Sequence, residues 1–311
     1  MSKFDKAKYS SLLIFQCAIF GINFIIVKML LKNDFPVFFL LAFRFLMGAS
    51  ALLPFCYKSN NMQQSDTKSI SKIEIKYGAI AGLVFFIAFG LQTVGAFYTT
   101  PAKNGVFTGL YVVFVPAIAM LIKKKFAWKS LGYAVICFFG VMVVSNFFAE
   151  QFTMNMGDIL TIACALAFAF HFILLEKFLV NNEMNFFKFT AIQIFVAAVL
   201  SFIISFIFEC NTYNSIHWTG QTLLLLLFLS IIGTALTFYI QTAVQSKLSA
   251  NTVAILSCSE SVFSVAFALC LGFDEFAVSL LLGTGIILLA MVLTTIKGNS
   301  TLVATDYETN I

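Results

Sequence analysis

The chain has 311 residues, 60% hydrophobic and only 11% charged, where a soluble domain carries about 25% charged residues. With a mean hydropathy of +0.97, it reads as a polytopic α-helical membrane protein; the alternating segments of a transmembrane barrel are absent. The net charge of +5 arises from lysines in short loops between apolar runs, which is a pattern of membrane orientation and not a nucleic-acid footprint.

Ten apolar runs follow one another, at roughly 10–31, 36–57, 78–99, 102–122, 127–148, 157–179, 186–208, 219–241, 249–272 and 276–296. Each approaches the ~20 residues that a helix needs to cross a bilayer. The first run, preceded by Lys3, Lys6 and Lys8, mimics a signal peptide. It is too long for an h-region and no small-residue cleavage site follows, so it is expected to stay as the first span. Connections are short apart from the polar loop 58–76 and the polar stretch 298–311. With the N-terminus inside, the outer loops hold only Lys32 and Lys103, and the other loop lysines fall inside. That asymmetry predicts ten spans with both termini cytoplasmic, in the cytoplasmic membrane. Trp128 and Trp218 fall at span ends, as an aromatic belt expects.

The two halves echo each other. His171 in the sixth run stands 148 residues after Asn23 in the first. Gln193 follows Arg44 by 149, Gln241-Thr242 follow Gln92-Thr93 by 149, and Ala250 follows Ala102 by 148. A register held within one residue across four spans predicts a five-helix repeat. Five is odd, so the second copy enters the membrane inverted. The expected fold is therefore an all-α membrane protein of ten transmembrane helices arranged as two inverted five-helix repeats, 1–148 and 149–297, followed by a cytoplasmic polar tail, 298–311. Transporters built this way hold their substrate near the midplane between repeats.

Polar groups inside apolar runs are the candidate site, because each one costs free energy there unless it meets a partner or a wet cavity. Glu260 lies near mid-depth of the ninth run; it could contact a substrate cation, exchange a proton, act as a gate, or sit in a structural ion pair. Arg44 is the chain's only arginine; it could bind a substrate carboxylate or pair with Glu260. Asn23 and His171, at matching repeat positions, could face each other across a central cavity. Gln92 and Tyr239 complete the expected substrate-binding set of Asn23, Arg44, Gln92, His171, Tyr239 and Glu260; Gln241 and Tyr111 are weaker candidates. Lys28 either snorkels to the headgroups or faces substrate. Gly78/Gly82 and Gly105/Gly109 give small-xxx-small faces for close helix contact.

Cys17, Cys56, Cys137, Cys164, Cys210, Cys258 and Cys270 have no paired or ligand-like spacing, so neither disulfides nor a metal site is expected. No nucleotide-binding, zinc-protease or serine-hydrolase motif is present. The chain is not expected to be an enzyme, because a membrane transferase would need acid, base or metal-binding residues clustered at one face. The outer loops scatter Asp34, Glu150, Asp158, Glu209, Asp274 and Glu275, with His217 as the loop histidine. No cofactor is expected. The expected partners are a small-molecule substrate, protons and membrane lipid, with the chain a monomer or homodimer.

These residues resemble the drug/metabolite transporter superfamily in its ten-span EamA-type branch. The resemblance is carried by Gly21-Ile22-Asn23-Phe24 through Lys28, Pro36, Arg44-Phe45, the stretch from Ala102 to Pro116, and Gly157-Asp158. It continues in Ser257-Cys258-Ser259-Glu260-Ser261-Val262-Phe263, where Ser261 replaces the branch's usual proline. The match runs over about residues 10–297. The branch often has Gly-Glu after its fourth and ninth spans; here Lys123-Lys124-Lys125 and Gly272-Phe273-Asp274-Glu275 stand there. The resemblance implies alternating-access movement of small metabolites, with members handling amino acids, nucleotide conjugates or drugs. The expected function is secondary transport of an amino acid or related polar metabolite. The alternatives are an uncoupled facilitator or exchanger, or an exporter of drugs or nucleotide-type metabolites.

Overall fold

The computed structural model describes residues 3–62, 71–123, 128–144, 154–180, 182 and 184–297. The loop lysines at 68, 124 and 125, the side chains of Lys58, Lys123 and Trp128, Glu150 and the polar stretch 298–311 lie outside what it describes. Among the described residues the regular structure is entirely helical, with no strand. In chain order the helices are α1 Lys3–Lys32, α2 Val37–Met62, α3 Lys72–Tyr98, α4 Pro101–Thr108, α5 Tyr111–Lys123, α6 Trp128–Val144, α7 Met156–Val180, α8 Phe186–Phe208, α9 Gly220–Ser230, α10 Thr237–Gln245, α11 Ala250–Ser257, α12 Ser259–Cys270 and α13 Val278–Lys297.

The helix ends follow from local chemistry. Ser71 and Glu74 close a capping box at the start of α3. Thr100, followed by Pro101 at the first helical position, caps α4, and Ser249 caps α11. Each supplies an oxygen to an amide that has no partner within its helix. Glu74 also accepts from the amide of Asn185 at 3.0 Å, which ties the start of α3 to the start of α8.

Among the described residues, eight stretches are long and apolar enough to cross a membrane: 7–32, 37–57, 72–98, 101–122, 156–180, 186–208, 220–245 and 250–270. The fifth and tenth expected spans appear as shorter apolar stretches, 131–140 and 278–290, and their helices α6 and α13 pack on each other. Large apolar side chains such as Phe206 and Phe208 point outward, as lipid-facing residues do. The principal contacts run between the two halves of the chain: α2 with α8, α3 with α7 and α8, and α1 and α4 with α12.

Three runs that read as single helices are interrupted. The fourth breaks at Gly109-Leu110 between α4 and α5, and the ninth at Cys258 between α11 and α12. The two breaks touch: the Cys258 thiol donates to the Gly109 carbonyl at 3.5 Å. The eighth passes through a π-helical segment, Ile231–Leu236, between α9 and α10. Gly105 and Gly109 let α4 lie directly on α12, because a Cβ at either position would run into Ser264 or Ser261. The Ser261 hydroxyl uses that approach to donate to the Gly105 carbonyl at 2.9 Å.

Candidate functional site

Residues flanking the helix breaks and the π segment, among them Thr108, Tyr111, Phe238 and Glu260, line an interior cavity. Its walls combine α1, α2, α3, α4, α5, α7, α10 and α12, so both halves of the chain enclose it. Phe20, Phe24, Phe89, Phe168, Phe172 and Phe238 supply much of the surface.

Glu260 enters this cavity from the first turn of α12, just past the break at Cys258. A helix N-terminus favours negative charge, so the interruption gives the carboxyl group a local dipole that a continuous helix would deny it. Glu260 is 5% exposed, and its Oε1 has no hydrogen-bond partner. The Tyr111 hydroxyl lies beside the carboxyl group without a directed hydrogen bond of its own.

Arg44 reaches the cavity from α2. Its Nε donates to the Thr234 hydroxyl at 2.7 Å and its Nη2 to the Gly233 carbonyl at 3.3 Å. The guanidinium carbon sits 4.7 Å from the centre of the Phe89 ring, within cation–π range. The π segment makes this contact possible. Thr234 donates its own hydroxyl proton to Leu229 O, five residues back, at 2.8 Å, and so presents a lone pair to Arg44. The Gly233 carbonyl also accepts from Asn23 Nδ2 at 3.0 Å and from the Thr237 hydroxyl at 3.0 Å. Such π insertions free backbone groups at functional sites. Asn23 Oδ1 has no partner. Among the described residues, Arg44 and Glu260 form no ion pair, so the expected alternative of direct pairing is not seen.

Gln92 also lines the cavity, in a network joining α3 to α4. Its Nε2 donates to Thr108 Oγ1 at 3.2 Å, Thr108 donates to Asn104 Oδ1 at 3.4 Å, and Asn104 Nδ2 donates to the Gln92 carbonyl at 3.1 Å. Gln241 also lines the cavity, where its Oε1 accepts from Gln16 Nε2 at 2.6 Å.

The structure thus brings Asn23, Arg44, Gln92 and Glu260 to one cavity and leaves His171 and Tyr239 outside it. His171 is fully buried; its Nε2 meets Gln193 Oε1 at 3.2 Å and its ring lies 5.6 Å from Phe85. The expected meeting of Asn23 and His171 across the cavity does not occur, because Gln193 captures the imidazole within its own half. Tyr239 stacks on Phe187 at 4.1 Å between ring centres. Lys28 is not among the residues that line the cavity. Its ammonium donates to the carbonyls of Ala96, Phe97 and Thr99 at 2.8, 3.0 and 2.9 Å and so caps the C-terminus of α3. Asn104, Thr108 and Thr234 belong to the site without having been singled out in the sequence; a polar side chain within an apolar run was the available signal. Among the described residues, no His, Cys, Asp or Glu side chains gather in a way that could hold a metal ion.

The comparisons with known proteins agree with this architecture. The EamA-like transporter family matches twice, over residues 8–146 and 155–296. An uncharacterized transporter of Archaeoglobus fulgidus is 26% identical over 282 residues, covering 90% of this chain and 83% of that protein. The uncharacterized transporter YoaV of Bacillus subtilis is 23% identical over 257 residues, covering 81% and 84%. A solved crystal structure superposes with a TM-score of 0.70 at 16% identity, over 96% of this chain and all of that one, a likeness of fold alone. A helical membrane bundle around an interior polar cavity, matched along nearly its whole length by one transporter family, is a multi-pass membrane transporter, and the chain belongs to the EamA-like transporter family.

Proposed function

We propose that the chain is a secondary transporter that moves an amino acid or closely related zwitterionic metabolite across the cytoplasmic membrane by alternating access. Its two inverted repeats are residues 1–148 and 149–297, and both termini are cytoplasmic. The observation that carries the reading is the pair of opposite charges in one cavity. Arg44 and Glu260 both line it, and neither neutralises the other. A solute carrying one carboxylate and one ammonium supplies both missing partners at once. Charge-assisted hydrogen bonds of this kind contribute roughly 1.5–3 kcal/mol each.

In this reading Glu260 takes the ammonium. Arg44 takes the carboxylate, while Asn23 and Gln92 orient the solute. His171 and Tyr239 have no direct part. Three features favour the inverted arrangement: the twofold match to the family, the helix breaks at Gly109 and Cys258, which stand 149 residues apart, and the packing of each half against the other.

Purified protein in proteoliposomes, offered radiolabelled amino acids singly with and without an imposed pH gradient, tests the reading. Uptake of at least one of them, lost in Glu260→Gln and in Arg44→Gln, is expected. Accumulation driven by the gradient would assign proton coupling, and equilibration alone an uncoupled facilitator. Wild-type uptake in both variants would remove the two residues from the site.

A further inference from the structure

At one end the cavity stops against three glutamines. Gln16 Nε2 donates to Gln241 Oε1 at 2.6 Å, Gln241 Nε2 donates to Gln245 Oε1 at 3.1 Å, and Gln245 Nε2 donates to the Phe172 carbonyl at 2.5 Å. The chain of bonds joins α1, α10 and α7. Gln16 and Gln245 are fully buried, whereas Gln241 and Phe172 line the cavity. Beyond the glutamines, toward the α10–α11 connection, lies a dry cluster of Leu13, Val244, Leu248, Val253 and Leu256. The Gln16–Gln241 bond is the polar rung between α1 and α10 at that end, and the Gln245 bond to Phe172 ties α10 to α7.

We infer that Gln16, Gln241 and Gln245 form a substrate-coupled gate at this end of the pathway, a reading that rests on the cavity being the transport site. Gln241 is the coupling element. Its carbonyl is taken by Gln16 and its amide by Gln245, yet the same side chain faces the solute. A bound ammonium competes for the carbonyl and a bound carboxylate competes for the amide. Occupancy of the cavity therefore loosens the rung that closes it. Gln16 Oε1 has no partner, so the Gln16 amide can turn without losing an acceptor bond. Hydrogen bonds between membrane helices are individually weak, which suits a contact broken once in each cycle.

The opposite end lacks this device. In the repeat register Gln241 falls on Gln92, Phe172 on Phe24, Gln16 on Cys164 and Gln245 on Ala96. Gln92, Phe24 and Ala96 all line the cavity. Where one end has a glutamine to bridge the helices, the other has a methyl group. The cavity extends toward Ala96 and is stopped at Gln245, as that difference requires.

Leu13→Cys, in the dry cluster that stays sealed only while α1 and α10 remain closed, is the reporter. A membrane-impermeant maleimide is applied to vesicles from the face of the α10–α11 connection, and peptide-level mass spectrometry follows residue 13 apart from the native cysteines. Labelling should be slow in the otherwise wild-type chain and at least tenfold faster with Gln245→Ala or Gln16→Ala. Gln16→Met, which nearly keeps the volume and has no donor for Gln241, should also accelerate it and guards against misfolding of the smaller variants. Thr284→Ala, on α13 away from the cavity, should leave it unchanged. Labelling at wild-type rate in folded Gln16→Met and Gln245→Ala overturns the gate, and so does an equal acceleration by Thr284→Ala. The labelling needs no flux. Faster labelling without amino-acid uptake in any variant would keep the gate and discard the transport reading, whereas uptake with unchanged labelling discards the gate alone.

Discussion

Replacing Glu260 by glutamine should raise the stability of the empty protein while weakening its hold on solute. The carboxyl group is 5% exposed, and one of its oxygens has no partner. A charged side chain at mid-membrane depth costs roughly 2.5–3.5 kcal/mol on insertion scales. Glutamine has nearly the same shape and no charge, but it leaves an amide short of a partner, at a cost of about 1–2 kcal/mol. The balance is a gain of about 1–2 kcal/mol for the unliganded protein. Binding moves the other way. Loss of one charge-assisted bond to an ammonium, worth roughly 1.5–3 kcal/mol, weakens Kd by roughly 10- to 150-fold. Thermal unfolding in nanodiscs reads the first quantity. Equilibrium binding of whichever radiolabelled amino acid the wild type accumulates reads the second. The opposite signs matter, because a residue held for packing alone would lose stability on substitution and leave binding untouched. A Glu260→Gln protein that melts earlier than wild type, or that binds with unchanged Kd, refutes the assignment.

Lys28→Met should destabilise the protein by about 1–3 kcal/mol, since the carbonyls of Ala96, Phe97 and Thr99 lose their shared donor; equal unfolding temperatures of variant and wild type would refute the cap. Gly105→Leu should cost about 1–3 kcal/mol or more through overpacking, because its Cβ falls on Ser264 of α12; near-native stability by denaturant titration would mean that α4 and α12 do not cross there. Asp274 lies in the α12–α13 connection, where burial raises its carboxyl above the ordinary 3.8 despite the hydrogen bonds from Thr100 and the Ala102 amide. Between the two pKa values the folded protein holds more proton than the unfolded chain. This group's contribution to stability is therefore greatest below pH 3.8 and falls as the pH rises through the elevated pKa. Asp274→Asn should flatten that slope in melting curves recorded against pH, and an identical slope in both proteins would count against it.

The helical class and eight of the ten expected spans were legible because burying a helix in lipid requires an apolar run of a set length, and such runs stand out. Four of the six expected site residues, Asn23, Arg44, Gln92 and Glu260, meet at the cavity for the same energetic reason: a polar group in such a run must find something polar. His171 obeys that rule too but satisfies it elsewhere, on Gln193, while the Tyr239 ring stacks on Phe187. A sequence registers the need for a partner without naming the partner. The helix breaks were less legible still. Gly109 is an isolated glycine of the kind that usually serves packing, and Cys258 carries no breaking propensity at all. The interruption there comes from the crossing of two helices, where the Cys258 thiol meets the Gly109 carbonyl, and no local signal encodes it. The π segment is of the same kind. Its residues are ordinary, and its value lies in offering Gly233 and Thr234 to Arg44, which arrives from 189 residues away in sequence.

The proposed repeats are informative where they differ. Asn23 and Arg44 share the Gly233 carbonyl and look into the cavity, while their counterparts His171 and Gln193 bind each other and are shut away from it. Two identical halves related by an in-plane axis would give inward-open and outward-open states of equal energy, and nothing would then select the resting one. Divergence at matched positions supplies the bias. Two interhelical hydrogen bonds in the glutamine chain, at roughly 0.6 kcal/mol each, favour closure of their own end by about 1.2 kcal/mol, or roughly 8-fold in population. A bias of that size is large enough to set which face the empty carrier presents. It is small enough for a solute forming one or two charge-assisted bonds at Gln241, Arg44 and Glu260 to reverse it.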